Sequence, residues 1–218
     1  MELILLWERS YGNAVMRQML EAFLKQPAIY VRVNTLKASR DDLMREMDLP
    51  DTRVCEGFAA SVALTGAGSI SKMEAFQKGL FHVQDLSAQL ICEIVAPKPR
   101  ESILDCCAAP GGKTFTMAEM MGNTGKITAF DLYKGRVRTI RDGAERLGIT
   151  IIQCSVKDMT RPFDADLLYD KVLWDVPCSG YGVIGRKPEI RYKPLKKQES
   201  LPRLQYSILE NAAGHVKK

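Results

Sequence analysis

Histidine is nearly absent from this chain, with two copies in 218 residues, and the six cysteines (55, 92, 106, 107, 154, 178) form no C-x-x-C pair. A zinc site needs clustered thiolates and imidazoles, and a small disulfide framework needs a regular cysteine spacing, so neither is supported. The thiols read as free and mostly core, and no metal is expected. Long apolar runs are missing too. The opening stretch "MELILLWERSYG" is too short and too soon charged for a signal peptide or a membrane span, which points to a cytoplasmic protein with no membrane partner. What remains is ordinary for a globular protein, 46% hydrophobic and 26% charged residues, enough to bury a real core. One large domain with a smaller N-terminal companion is expected.

Charge is modest in sum but uneven. Between Tyr181 and Lys197 the segment "YGVIGRKPEIRYKPLKK" sets Arg186, Lys187, Arg191, Lys193, Lys196 and Lys197 against Glu189 alone, a net +5 that equals the charge of the whole chain. A basic strip interleaved with Tyr181 and Tyr192 suits a polyanion, because phosphates attract the cations and bases stack on the rings. A solvated surface loop is the alternative.

Punctuation divides the chain in two. In the first region, Val15, Met19, Ala22 and Phe23 predict one face of a helix over 11–25, closed by Pro27. "AIYVRVN" (28–34) alternates like a strand, "SRDDLMREM" (39–47) opens on a capping serine, and "SVALTGAGSI" (61–70) is glycine-broken with no chemistry to offer. "QDLSAQLICEIVAP" (84–97) reads as a helix stopped by Pro97 and Pro99. His82 reads as a packing residue rather than a ligand, and His215 as a residue of a fraying end.

The second region repeats strand and helix. "SILDCC" (102–107) is a strand ending on Asp105, and "AAPGGKT" turns into the helix "TFTMAEMM", whose Met117, Met120 and Met121 read as core. "KITAFD" (126–131) ends on Asp131, a helix over 135–148 leads to the strand "ITIIQC" (149–154) with Asp158 beyond it, and "YDKVLWD" (169–175) ends on Asp175. Alternation of this kind predicts an α/β fold with a doubly wound parallel sheet, whose ligands lie beyond the carboxyl ends of the strands. All four acids lie at that edge.

The glycine turn is not a mononucleotide P-loop, which would need glycine where this chain has Cys107; nor is it a dinucleotide loop, since Gly111 and Gly112 are adjacent. A tight strand-to-helix turn remains, followed by an acid at the end of the next strand. Asp131 there could accept both hydroxyls of a ribose, and an adenosyl ligand without phosphates fits better than a nucleotide. A strand-end helix cap is the alternative for Asp131.

These residues carry a resemblance. "DCCAAPGGKT", "FDLYKGRV", the "VKDMT" acid and "DVPCSGYGVIGRKPEIRY" together resemble the RNA cytosine-5 methyltransferases that use S-adenosylmethionine, the family of the bacterial small-subunit ribosomal RNA methyltransferase B. Upstream, "PAIYVRVNTLKAS" and "FQKGLFHVQDLSAQL" resemble the small N-terminal α+β domain of that family, so nearly the whole chain is covered. The resemblance implies an N-terminal domain over 1–83 and a Rossmann-like class I methyltransferase domain over 84–218. It further implies that Cys107, Ala108, Ala109, Pro110, Gly111, Gly112 and Lys113 line the cofactor, Asp131 binds its ribose, Arg136 lies nearby, and Asp158 faces its adenine. Asp175 would sit between the methionine end and the substrate base, and Lys113, at the mouth of the turn, could steady the base or nearby charge. Arg186, Lys187, Arg191 and Lys193 would contact RNA, most simply ribosomal RNA.

Chemistry accords with that layout. Carbon 5 of cytosine is a poor nucleophile until a thiolate adds to carbon 6. In the RNA family that thiolate belongs to a later Thr-Cys motif, and the Pro-Cys residue, here Cys178, helps release the product. In the related DNA enzymes the Pro-Cys thiol is itself the nucleophile, but their pattern resembles "PPCQ" rather than "PCSG". Outside any family, Cys178 reads as a structural thiol.

No Thr-Cys pair occurs in the 218 residues, and "RLQYSILENAAGHVKK" resembles the helix just before the strand that bears it. The expectation is a chain that binds S-adenosylmethionine but lacks its nucleophile, with the fourth strand or its neighbour left as a sheet edge. A non-catalytic RNA-binding or cofactor-sensing module is the rival reading, and a DNA-directed methyltransferase the third.

Overall fold

The computed structural model describes residues 2–25, 27–47, 52–66, 68–163 and 166–218. They form two compact units, Met1–Ala28 with Pro177–Gln205, and Ile29–Val176 with Tyr206–Lys218.

In the first unit, helix α1 (Glu2–Leu24) starts well before the expected residue 11 and bends at Gly12, whose φ of 80° breaks the helical path. Its inward face is Trp7, Met16, Met19, Leu20 and Phe23, while Val15 and Ala22 are exposed. Met19 and Phe23 face inward as expected, while Met16 and Leu20 stand in place of Val15 and Ala22, the Gly12 bend having reset the helix phase. Residues 177–205 are not an extended strip. They coil through short 3-10 turns at Tyr181–Val183, Pro188–Tyr192 and Leu195–Gln198, anchored by buried Ile184 and Ile190 beside Trp7. Trp7 packs against Phe23 at 5.6 Å and edge-on to Tyr181 at 6.3 Å between centroids.

The second unit holds two sheets. β1 (Ile29–Val33), α2 (Arg40–Met47), β2 (Arg53–Val54), β3 (Ser61–Leu64), α3 (Glu74–Gln77) and β4 (Phe81–Val83) form an antiparallel sheet of order β2-β3-β1-β4 with its helices. Val31, Val33, Leu43, Val62, Leu64 and Phe81 fill its core. Ser39 and Asp42 cap α2 reciprocally: Ser39 Oγ accepts the Asp42 N–H at 3.1 Å, and Asp42 Oδ2 accepts the Ser39 N–H at 3.1 Å.

Next come α4 (Leu86–Val95), β5 (Ser102–Asp105), α5 (Gly112–Met120), β6 (Lys126–Asp131), α6 (Lys134–Leu147), β7 (Ile152–Val156), β8 (Lys171–Leu173) and α7 (Leu201–Ala213). The strands make a parallel sheet of order β7-β6-β5-β8, confirming the expected α/β architecture. Chain order reverses between β5 and β8, the crevice where such sheets bind ligands. Met117 and Met121 are core, as expected. β7 begins three residues later than the sequence suggests. Gly148 is left-handed and the Ile149 N–H returns to Ala144 O at 2.9 Å, so 149–151 belong to the exit from α6. β8 is shorter than 169–175, and ahead of it Tyr169 makes a parallel bridge to Val216. His215 is buried there, stacked on Phe163 at 3.7 Å, rather than frayed.

A buried polar network joins the antiparallel sheet to α4 and α5. Arg32 Nε lies 3.2 Å from Glu119 Oε2, and Arg32 also donates to Gln89, which takes a hydrogen bond from Ser61. His82 lies 3.3 Å from both Glu119 Oε1 and Thr116 Oγ1, edge-on to Phe115, which is the packing role expected of it.

Candidate active site at the strand ends

The turn after β5 is laced to its neighbours by backbone hydrogen bonds. Cys106 N–H donates to Leu173 O at 3.1 Å and Ala108 N–H to Phe130 O at 2.8 Å, tying residues 106–108 to β8 and β6. Ala109–Pro110 is cis, and Gly111 has φ 110°, a conformation that other residues adopt only with strain. A Cβ on Gly111 would also sit 2.3 Å from the Phe115 ring, so only glycine fits.

Asp131, at the end of β6, is 3% exposed. Its Oδ2 accepts the Ala109 N–H at 3.4 Å and lies 3.5 Å from Arg136, which in turn donates to Ala109 O at 2.8 Å. Its Oδ1 accepts the Tyr133 N–H at 3.2 Å, ahead of α6, and α6 has no side-chain cap. Asp131 therefore fastens the glycine turn to β6 and does not cap the helix. Lys157 N–H donates to Asp131 O at 3.0 Å, bringing the end of β7 alongside. Asp158 follows, accepting the Thr160 hydroxyl at 2.6 Å and the Thr160 N–H at 3.0 Å, with Arg161 at 3.4 Å. Those hydrogen bonds hold its carboxyl below the usual range.

On the other side of the crevice, Lys113 Nζ reaches from α5 to Asp175 Oδ2 at 2.5 Å. Behind this pair lies Asp105, to which the sequence reading gave no role. It is fully buried; Oδ2 accepts the Thr114 hydroxyl at 2.7 Å, and Oδ1 has no hydrogen-bond partner among the described residues. Burial, partly offset by Thr114 and reinforced by the charge of Asp175, pushes its pKa up to about 6. Its position at the end of the strand before the glycine turn was the available signal.

The structure brings together Cys107 through Lys113, Asp131, Arg136, Asp158 and Asp175 within the second unit. Cys178, Arg186, Lys187, Arg191 and Lys193 lie in the first, all five exposed. Four of the other thiols are poor nucleophiles by environment. Burial pushes Cys92 and Cys107 up to about 12, and it raises Cys106 and Cys55 as well. Among the described residues no three histidine, cysteine or carboxylate side chains are arranged to hold a metal, and no helix is long and apolar enough to cross a membrane.

Comparison with known families decides the kinship. Residues 92–218 match the 16S rRNA methyltransferase RsmB/F family, and residues 3–70 match the ferredoxin-like domain of RsmF/B-like methyltransferases. The chain belongs to the RsmB/F family. It is 38% identical over 216 residues to the probable ribosomal RNA small subunit methyltransferase B of Bacillus subtilis strain 168, covering 97% of this chain and 48% of that protein. It is 33% identical over 170 residues to a tRNA (cytosine(72)-C(5))-methyltransferase of Pyrococcus horikoshii, covering 77% of this chain and 43% of the other. The chain thus spans about half the length of these curated relatives. The crystal structure of a methyltransferase homolog from Pyrococcus horikoshii superposes with a TM-score of 0.80 at 30% identity, over 95% of this chain and 66% of that one.

Proposed function

We propose that this chain is the cofactor-holding part of an RNA cytosine-5 methyltransferase acting on RNA in the cytoplasm, most simply small-subunit ribosomal RNA. Residues 1–83 would form its N-terminal domain and 84–218 its catalytic domain. The observation that carries the reading is the row of acids at the parallel strand ends, with Asp131 bound into a glycine turn and Lys113 paired to Asp175 across the crevice. S-adenosylmethionine fits these residues. A buried carboxylate beside the turn suits its ribose, the unpartnered Asp105 Oδ1 suits a hydrogen-bond donor, and Lys113 with Asp175 offers both signs to a zwitterionic end. When bound, S-adenosylmethionine supplies an electrophilic methyl group.

In this reading Cys107 to Lys113 cradle the cofactor, with Arg136 steadying the turn and Asp158 at the adenine. Asp175, when it carries a proton, donates it to ring nitrogen 3 of the cytosine and so favours thiolate addition to carbon 6, while Lys113 holds Asp175 in place. A stacked cytosine must first leave its helix, and Arg186, Lys187, Arg191 and Lys193 hold the RNA phosphates as it does so. Cys178 is the releasing thiol. The attacking thiol is none of the six in the chain, four of which are kept protonated by burial.

The experiment is transfer of labelled methyl groups from S-adenosylmethionine to unmodified small-subunit ribosomal RNA. The 218-residue chain would give none, and the chain extended by the Thr-Cys segment of a full-length relative would turn over. In the extended form Cys178→Ala would accumulate a covalent protein–RNA adduct. Turnover by the 218 residues that Cys178→Ala abolishes would instead make Cys178 the nucleophile.

A further inference from the structure

A hollow of about 420 Å³ opens in the first unit, between α1 and the coiled segment 184–192. Trp7 and Phe23 line it from the helix, and Ile184, Pro188, Arg191 and Tyr192 from the coil. Its size is that of a pocket for a small ring compound, not of a packing defect. Tyr192 is 76% exposed, an aromatic ring left largely in water at the edge of the hollow. The Arg191 guanidinium lies 5.2 Å from the centroid of that ring. The same coil carries Arg186, Lys187 and Lys193, all exposed, so the apolar hollow sits in the most basic segment of the chain.

Each of these features points to the same occupant. An apolar, aromatic-walled pocket alone would suit a peptide side chain as well as a base. Lined by Arg191 and set in a segment that also carries Arg186, Lys187 and Lys193, with Glu189 the one acid among residues 184–193, it favours a ligand that is flat and carries negative charge on either side. An unpaired nucleotide has that form: a base to stack on Tyr192 and enter against Trp7, and flanking phosphates for Arg191, Lys187 and Lys193. We infer that the Trp7–Tyr192 hollow is a base-binding pocket for a single-stranded RNA nucleotide. This rests on the reading of the chain as an RNA enzyme and adds to it a second, stacking contact, distinct from the cytosine that is methylated.

The test is fluorescence anisotropy of a labelled single-stranded oligoribonucleotide with the 218-residue chain across a salt series. Tyr192→Ala should weaken binding roughly tenfold and leave the slope of log affinity against log salt unchanged, because stacking releases no counterions; Tyr192→Phe should bind as the parent does. Lys193→Glu should weaken binding and flatten the slope. An abasic residue scanned through the oligomer should reproduce the Tyr192→Ala loss at one position and no further loss in that variant. Parent-like affinity in Tyr192→Ala overturns the inference alone, as does a loss that comes with a flattened slope. Self-association of the parent that Tyr192→Ala abolishes, with RNA affinity intact, would make the hollow a protein-docking surface. No RNA binding by the parent overturns both the inference and the functional reading beneath it.

Discussion

Lys113 and Asp175 meet at 2.5 Å across the crevice between β5 and β8, one from the first turn of α5 and the other two residues past the end of β8. The pair is only partly shielded, with the Asp175 side chain half exposed, so water screens it and its structural worth is small. Asp175→Asn should therefore change the free energy of unfolding in urea by less than about 1 kcal/mol. In the Thr-Cys-extended polypeptide the same change should cut turnover by about a hundredfold or more, the size of a lost proton-handling contact. A variant that unfolds easily, or that turns over normally, would remove Asp175 from the chemistry.

Asp105 gives a pH signature of its own. Its pKa is raised from 3.8 to about 6 by burial, so between those values the folded chain binds more protons than the unfolded one. Its contribution to stability is full below pH 3.8 and is lost as pH rises through about 6, a change of roughly 3 kcal/mol at most. Asp105→Asn removes that dependence. Relative to the parent, the variant should gain stability in urea unfolding at pH 7.5 compared with pH 4, and a difference that stays flat between the two would place Asp105 in contact with water or an unseen cation.

The buried ion pair Arg32–Glu119 fixes the antiparallel sheet on α5, the helix that follows the glycine turn. Removing one partner leaves a buried charge alone, at a cost of about 3–5 kcal/mol. Glu119→Ala and Arg32→Ala should each show that loss, and the double variant should lose less than their sum by about 1 kcal/mol or more. Additive losses in that unfolding cycle would mean the two charges do not interact.

The parallel half of the fold was legible because its signals are local. The strands ending on Asp105 and Asp131, and the run that reaches Asp175 two residues past β8, are apolar stretches that stop at an acid, and the turn between Cys107 and Lys113 is set by adjacent glycines. The packing of residues 177–205 with α1 was not legible, since it joins segments far apart in the chain through Trp7, Ile184 and Ile190. Periodicity also misplaced the inward face of α1, where Met16 rather than Val15 is buried, because the Gly12 bend resets the helix phase. Asp105 was visible as a strand-end acid. Its burial and its unpartnered oxygen depend on Thr114 and the neighbouring strands, which no single segment reveals.

The most direct test is a calorimetric titration of S-adenosylmethionine into the 218-residue chain and its Asp131→Ala variant, with folding of both checked by circular dichroism. Asp131 is tied to the glycine turn through the Ala109 N–H, and the contact it would make with a ribose is a hydrogen bond to a charged group, about 1.5–3 kcal/mol. The parent should bind one equivalent, and the variant should bind roughly tenfold or more weakly. Equal affinity in a folded Asp131→Ala chain, or no binding by the parent, would contradict the account.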